Sequence, residues 1–120
     1  MSKEDEHMAI KETIRGDVAV LNLRGKLMGG PDSTALHDKV HGLIADGIKQ
    51  VVIDLGKVKW MNSSGLGALM AALTTLRNAG GDLKLANVTK KIESLLLITK
   101  LITVFETYET ADRAVVSFRQ

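Results

Sequence analysis

Residues 60 to 67 read Trp-Met-Asn-Ser-Ser-Gly-Leu-Gly, which sets two hydroxyls, Ser63 and Ser64, directly after a strand-like run and ahead of an apolar helical pattern. A serine in that place either starts the helix or carries chemistry. As an N-cap, Asn62, Ser63 or Ser64 would accept from a backbone N–H and contribute ~1 kcal/mol. As a reactive group, a hydroxyl there sits where unpaired N–H groups and the positive end of the helix dipole favour an added anion such as a phosphate.

Other arrangements of reactive side chains are weaker. Gly65 and Gly67 suggest a phosphate cradle, but the turn lacks the Lys and the spacing of a P-loop. The simpler expectation is close backbone approach, with Gly67 letting the helix pack near a sheet. His37 and His41 stand i, i+4 in His-Asp-Lys-Val-His, a spacing that can clip a metal. No third ligand is visible, so the expectation is a solvated helix face and no metal site. Asp54 closes one expected strand and Asp82 opens another, and two isolated acids do not make a catalytic pair. Nor do the serines lie in a Gly-x-Ser-x-Gly elbow. No catalytic residue, no cofactor and no enzyme activity are expected.

Composition excludes further classes. The chain has 120 residues, one Pro and no Cys. That length suits one domain able to bury about two-thirds of its unfolded surface without disulfide or thiolate metal support. Residues 1–8 read as a flexible tail and 9–120 as the domain. The mixed charges of the opening residues and the lack of an apolar run near ~18 residues imply neither secretion nor a membrane span, hence a cytoplasmic protein. Sixteen Lys and Arg against fourteen Asp and Glu give a net charge of +2, and the aromatics are few. Neither the field nor the stacking platforms for nucleic acid are expected.

The elements that must position the serines follow from periodicity. Ala-Ile-Lys-Glu-Thr-Ile-Arg and Val-Ala-Val-Leu-Asn-Leu-Arg alternate around Gly16-Asp17, an antiparallel hairpin. A glycine-rich loop follows, with Pro31 in the first turn of a helix over roughly residues 32 to 47, striped by Leu36, Val40, Leu43 and Ile44. Val51 to Leu55 is a continuous apolar run, the mark of a central strand covered on both faces. Helix two carries Leu66, Leu69, Met70, Leu73 and Leu76 and stops at Gly80-Gly81. A strand from Asp82, a helix begun by Asn87 or Thr89, a short strand near Thr103–Tyr108 and a last helix capped by Thr110 complete the chain. Trp60 is expected to be half-buried over the third strand. The leucines of Ile92–Ile102 form first a core stripe and second a dimer surface, so a monomer or weak dimer is expected. The fold class is α/β: a hairpin leading into a mostly parallel four- to five-stranded sheet with about four helices, with sites collecting at the carboxyl edge of the strands.

The stretch Val51–Val88, followed by the leucine-rich helix, Val-Phe-Glu-Thr-Tyr-Glu-Thr and Ala-Asp-Arg-Ala-Val, resembles a STAS domain of the anti-sigma factor antagonist type, over about residues 10 to 118. Its most specific element is the Asp-Ser-Ser/Thr-Gly-Leu-Gly turn, here Asn62-Ser63-Ser64-Gly65-Leu66-Gly67. The resemblance implies a bacterial partner switch. An anti-sigma factor that is also a serine protein kinase binds the unmodified domain and releases it once a serine of the turn is phosphorylated. By position Ser64 is the first candidate and Ser63 the alternative, with Asn62, Ser63, Ser64, Gly65, Leu66, Met28 and Asp32 expected at the partner surface. Asn62 and Met28 replace acids usual in the family, and Asp32 lies four residues after Met28. The alternative is a STAS-like scaffold or ligand-sensing domain not controlled by phosphorylation.

Overall fold

A computed structural model describes residues 8–119, so the expected tail is represented only by Met8, which packs partly buried against the larger core. Strands β1 (Ala9–Arg15) and β2 (Val18–Leu27) form the expected antiparallel hairpin, in register from Arg15 opposite Val18 to Ala9 opposite Arg24. Then follow α1 (Pro31–Ala45), β3 (Gln50–Met61), α2 (Ser63–Asn78), β4 (Asp82–Ala86), α3 (Lys90–Ile98), β5 (Glu106–Tyr108) and α4 (Ala111–Ser117). The five strands lie in the order β1-β2-β3-β4-β5, and every pair after the hairpin is parallel. Central β3 is why Val51, Val52, Ile53 and Leu55 can all be fully buried, since parallel strands are covered on both faces.

The two faces are covered unequally. On one, Ala19, Leu21, Leu23, Ile53 and Leu55 meet the apolar stripes of α1, α2 and α3, through Leu36, Val40, Leu69, Leu73, Leu76, Ile92 and Leu96 among others. Burying each such leucine contributes about 1.5–3 kcal/mol relative to exposure. On the other, Val18, Val20, Val52 and Ala86 pack under Ala114 and Val115 of α4 alone. Lys84 is buried on that side, its ammonium donating to Ser117 Oγ at 2.7 Å and lying 4.2 Å from the Phe118 ring centre and 3.3 Å from Glu106. It ties β4 to β5 and α4.

Thr89 and Thr110 cap α3 and α4, accepting from the N–H groups of Ile92 and Arg113 at 3.4 and 3.1 Å. At the end of α2 the Gly80 N–H donates to Arg77 O and the Gly81 N–H to Leu76 O, closing a Schellman turn where Gly80-Gly81 was expected to stop the helix.

Two strands run further than their sequence suggests. β2 continues through Lys26 and Leu27, which read as loop, and β3 continues to Met61 instead of ending near Leu55. In β3, Leu55, Val58 and Met61 all face the larger core although they are three apart. A regular strand puts only every second residue on one face. The spacing is accommodated by two irregularities against β2: Asn22 pairs with Asp54 but Arg24 with Lys57, and Gly25 pairs with Val58 but Lys26 with Trp60. Each adds one residue to β3, as a β-bulge does. Asp54 therefore does not end the strand. Its carboxylate accepts from the Gly56 N–H at 2.9 Å and from Asn87 Nδ2 at 2.8 Å, fixing the first irregularity to the end of β4.

Candidate functional site

The bulged end of β3 delivers the chain to the carboxyl edge of the sheet at Met61, and α2 begins two residues later. The residue between, Asn62, has extended backbone and its Oδ1 accepts from the Gly65 N–H at 2.8 Å. Asn62 is thus the N-cap, and neither serine is spent in that role. Ser63 and Ser64 occupy the first two helical positions with their side chains exposed, at the positive end of a sixteen-residue helix.

What holds the turn in place is Gly65. A Cβ built there would lie 1.9 Å from the Leu27 carbonyl oxygen, so the first turn of α2 rests directly on the end of β2. This close approach was expected of Gly67, whose Cβ position is open for 4 Å around. The reason for the reversal is helical phase: Gly65 faces the sheet with Leu66 and Leu69, and Gly67 faces solvent. A second contact comes from the loop between β2 and α1. Gly29, at φ 97°, sits so close that a Cβ on it would be 2.8 Å from Ser64 Cβ, with Ser33 Oγ 3.8 Å away. The sequence signal for this neighbour was the Gly29-Gly30 pair before Pro31.

Of the remaining residues expected at the partner surface, Met28 is exposed beside this loop, and Asp32 is half-buried in the first turn of α1. The Asp32 carboxylate accepts from the Met28 N–H at 3.2 Å, closing the loop on itself. Gly65 and Leu66 are buried and shape the turn from below. Trp60 is 46% exposed with the Lys91 ammonium 4.8 Å from its ring centre, while its neighbour Met61 is the one that enters the core.

His37 and His41 are both exposed on α1 with ring centres 4.1 Å apart, and no group of three His, Cys, Asp or Glu among the described residues is placed to hold a metal. With Val40, Ala68, Ala72 and Thr75 they border a shallow groove of about 280 Å³ between α1 and α2. No helix among the described residues is long and apolar enough to cross a membrane.

Comparison with known proteins agrees with this architecture. The STAS domain family model matches residues 9–114. A protein of Bordetella bronchiseptica named as an anti-sigma factor antagonist, BtrV, is 20% identical over 93 residues, covering 78% of this chain and 80% of its own. A crystal structure from Thermotoga maritima, also named as an anti-sigma factor antagonist, superposes with a TM-score of 0.82 at 22% identity, over 92% of this chain and 95% of the other. The Bacillus cell fate determinant SpoIIAA in its phosphorylated form superposes with a TM-score of 0.71 at 18% identity, over 92% and 99%. With the family model spanning nearly all of the described residues, the chain belongs to the STAS domain family.

Proposed function

We propose that this protein is an anti-sigma factor antagonist that works by partner switching, a binding protein and kinase substrate without enzymatic activity of its own, acting in the cytoplasm. The observation that carries the reading is the division of labour at the start of α2: Asn62 caps the helix, and Ser63 and Ser64 are left exposed. Ser64 is the first candidate for phosphorylation and Ser63 the second, and the partner is an anti-sigma factor with serine kinase activity. The names of the Bordetella relative and of the structural neighbours support the same reading.

A phosphoserine carries about −1.5 to −2 charge, and at a helix N-terminus that charge is favoured by about 0.3–1 kcal/mol. Modification therefore leaves the fold intact, and the switch acts at the contact surface. In the unmodified state the loss of one serine hydroxyl costs on the order of 1 kcal/mol. A doubly charged group forced into a packed interface costs about 3–5 kcal/mol if left unpaired. Each 1.4 kcal/mol is about tenfold, so release corresponds to roughly a hundred- to thousandfold loss of affinity.

The replacement of an acid by Asn62 bears on the scaffold alternative. As N-cap, Asn62 does structurally what an aspartate would do there, so its presence alone does not favour a turn without a switch. The test is incubation with the cognate kinase and ATP, mapping of the phosphate, and titration calorimetry of wild type, Ser63→Ala, Ser64→Ala and phosphoprotein against that kinase. Wild type and Ser64→Ala are expected to bind and phosphoprotein to be released. Equal affinity of modified and unmodified protein would sink the switch, and phosphate kept in Ser64→Ala but lost in Ser63→Ala would move the site one residue back.

A further inference from the structure

Among the described residues, the sheet face that carries α4 is covered only over its amino-terminal half, where Val18, Val20 and Val52 lie beneath Ala114 and Val115. The strands run on beyond that helix. In β2 the odd-numbered Leu21, Leu23 and Leu27 belong to the opposite core, so alternation puts Asn22, Arg24 and Lys26 on the α4 side. The register sets Lys57 beside Arg24 and Trp60 beside Lys26, and Lys11 of β1 stands opposite Asn22. Ile10 and Leu55, Val58 and Met61 face the other way. The open half of the face thus gathers Lys11, Arg24, Lys26 and Lys57, with the exposed Trp60 beside Lys26 at the free edge of β3 beyond its pairing with β4, where Lys91 of α3 reaches its ring from the other side.

No carboxylate among the described residues pairs with any of those four cations; Lys49, Lys59, Lys90, Lys91 and Lys100 lack one too, so what sets the four apart is that adjacent strands gather them on one face. Among the described residues the one acid on this half of the face, Asp54, has its two oxygens engaged by Gly56 and Asn87. Arg24 directly beside Lys57 is a like-charge pair, which destabilises a sheet unless something neutralises it.

From this charge pattern we infer that the open half of the sheet face is a docking surface for an acidic protein segment, its carboxylates lying against Lys11, Arg24, Lys26 and Lys57 and an apolar residue against Trp60. Charge complementarity names the occupant, and an exposed tryptophan is the residue type most often found to anchor an interface. A nucleic acid strand would need successive free aromatic faces, and here one indole is exposed and already has an ammonium near its ring. An anionic membrane would need a broader apolar surface to insert than Trp60 provides. The surface is basic whether or not Ser63 or Ser64 is modified, so the inference stands apart from the phosphorylation reading.

Trp60 is the only tryptophan in the chain, so its fluorescence reports on this face directly. The experiment titrates the full chain with a short synthetic peptide of Glu and Leu and follows Trp60 emission. In parallel it uses oligodeoxythymidine, phosphatidylserine vesicles and a Lys and Leu peptide. The expected result is saturable binding of the acidic peptide that is lost at about 0.5 M salt. It should weaken at least about tenfold in R24E/K57E and in the milder R24Q/K57Q, and be retained in K49E, which reverses a charge outside the patch. Circular dichroism of the variants separates lost binding from lost fold. Absence of acidic peptide binding, binding unchanged in both double variants, or tighter binding to the oligonucleotide or the vesicles would overturn the inference. So would binding that appears only when Glu4, Asp5 and Glu6 are neutralised as E4Q/D5N/E6Q, because the occupant would then be the chain's own acids.

Discussion

Leu27 and Gly65 touch backbone to backbone: the Leu27 carbonyl oxygen fills the space a Cβ on Gly65 would need, at 1.9 Å. The end of β2 and the start of α2 are thereby one rigid unit, and the exposed serines are held on it.

Gly65→Ala should therefore destabilise the protein by about 3 kcal/mol or more, because the clash is with backbone and cannot be relieved by a rotamer change. Gly67→Ala, two residues on, should stabilise it by about 0.5–1 kcal/mol, since the site is open and alanine is the better helix former. Denaturant unfolding of the two variants checks the contrast, and equal effects would place the close approach wrongly.

The capping assignment is tested by three alanines. Asn62→Ala should cost about 1 kcal/mol through loss of the bond to the Gly65 N–H. Ser63→Ala and Ser64→Ala should change stability by no more than about 0.5 kcal/mol, as exposed positions outside the cap do. Ser64→Asp should keep the wild-type melting temperature within a few degrees, since a negative group there suits the dipole. A serine variant as damaging as Asn62→Ala would return the cap to that serine.

Asp54 joins the bulge of β3 to the end of β4. Asp54→Ala leaves the Gly56 N–H and the Asn87 amide without their acceptor and should cost about 1–3 kcal/mol. Amide hydrogen exchange at Gly56 should rise more than exchange at Val51 or Ile53, which lie in the buried part of the same strand. Uniform loss of protection would mean a global rather than a local role.

Helix α3 ends on a residue other than glycine in the left-handed region. Lys100 has φ 63°, with its N–H donating to Leu97 O and the Leu101 N–H to Leu96 O. Lys100→Gly should raise stability by about 0.5–1 kcal/mol, the relief of the Cβ clash outweighing the added freedom of the unfolded chain. For a domain of this size that is a rise of about 2–6 °C in Tm. A fall in Tm would show that the Lys100 side chain makes a contact that matters more than its backbone.

The amino-acid sequence by itself determined the elements and their order. Val51–Leu55 could only be a strand covered on both faces, the four helices announced themselves by stripes at three- and four-residue spacing, and Thr89, Thr110 and Gly80-Gly81 marked ends through chemistry local to a single turn. The turn around Ser63 and Ser64 was legible for the same reason. Tertiary structure decided what depends on a second element: that β3 carries two extra residues against β2, that Asn62 rather than a serine caps α2, and that Gly65 rather than Gly67 meets Leu27. Along Gly56–Met61 the core residues recur every third position, which no single-strand periodicity can explain until β2 lies beside it. The uncovered cationic face is likewise invisible in a chain whose charges sum to +2, because Lys11, Arg24 and Lys57 come together only across three strands.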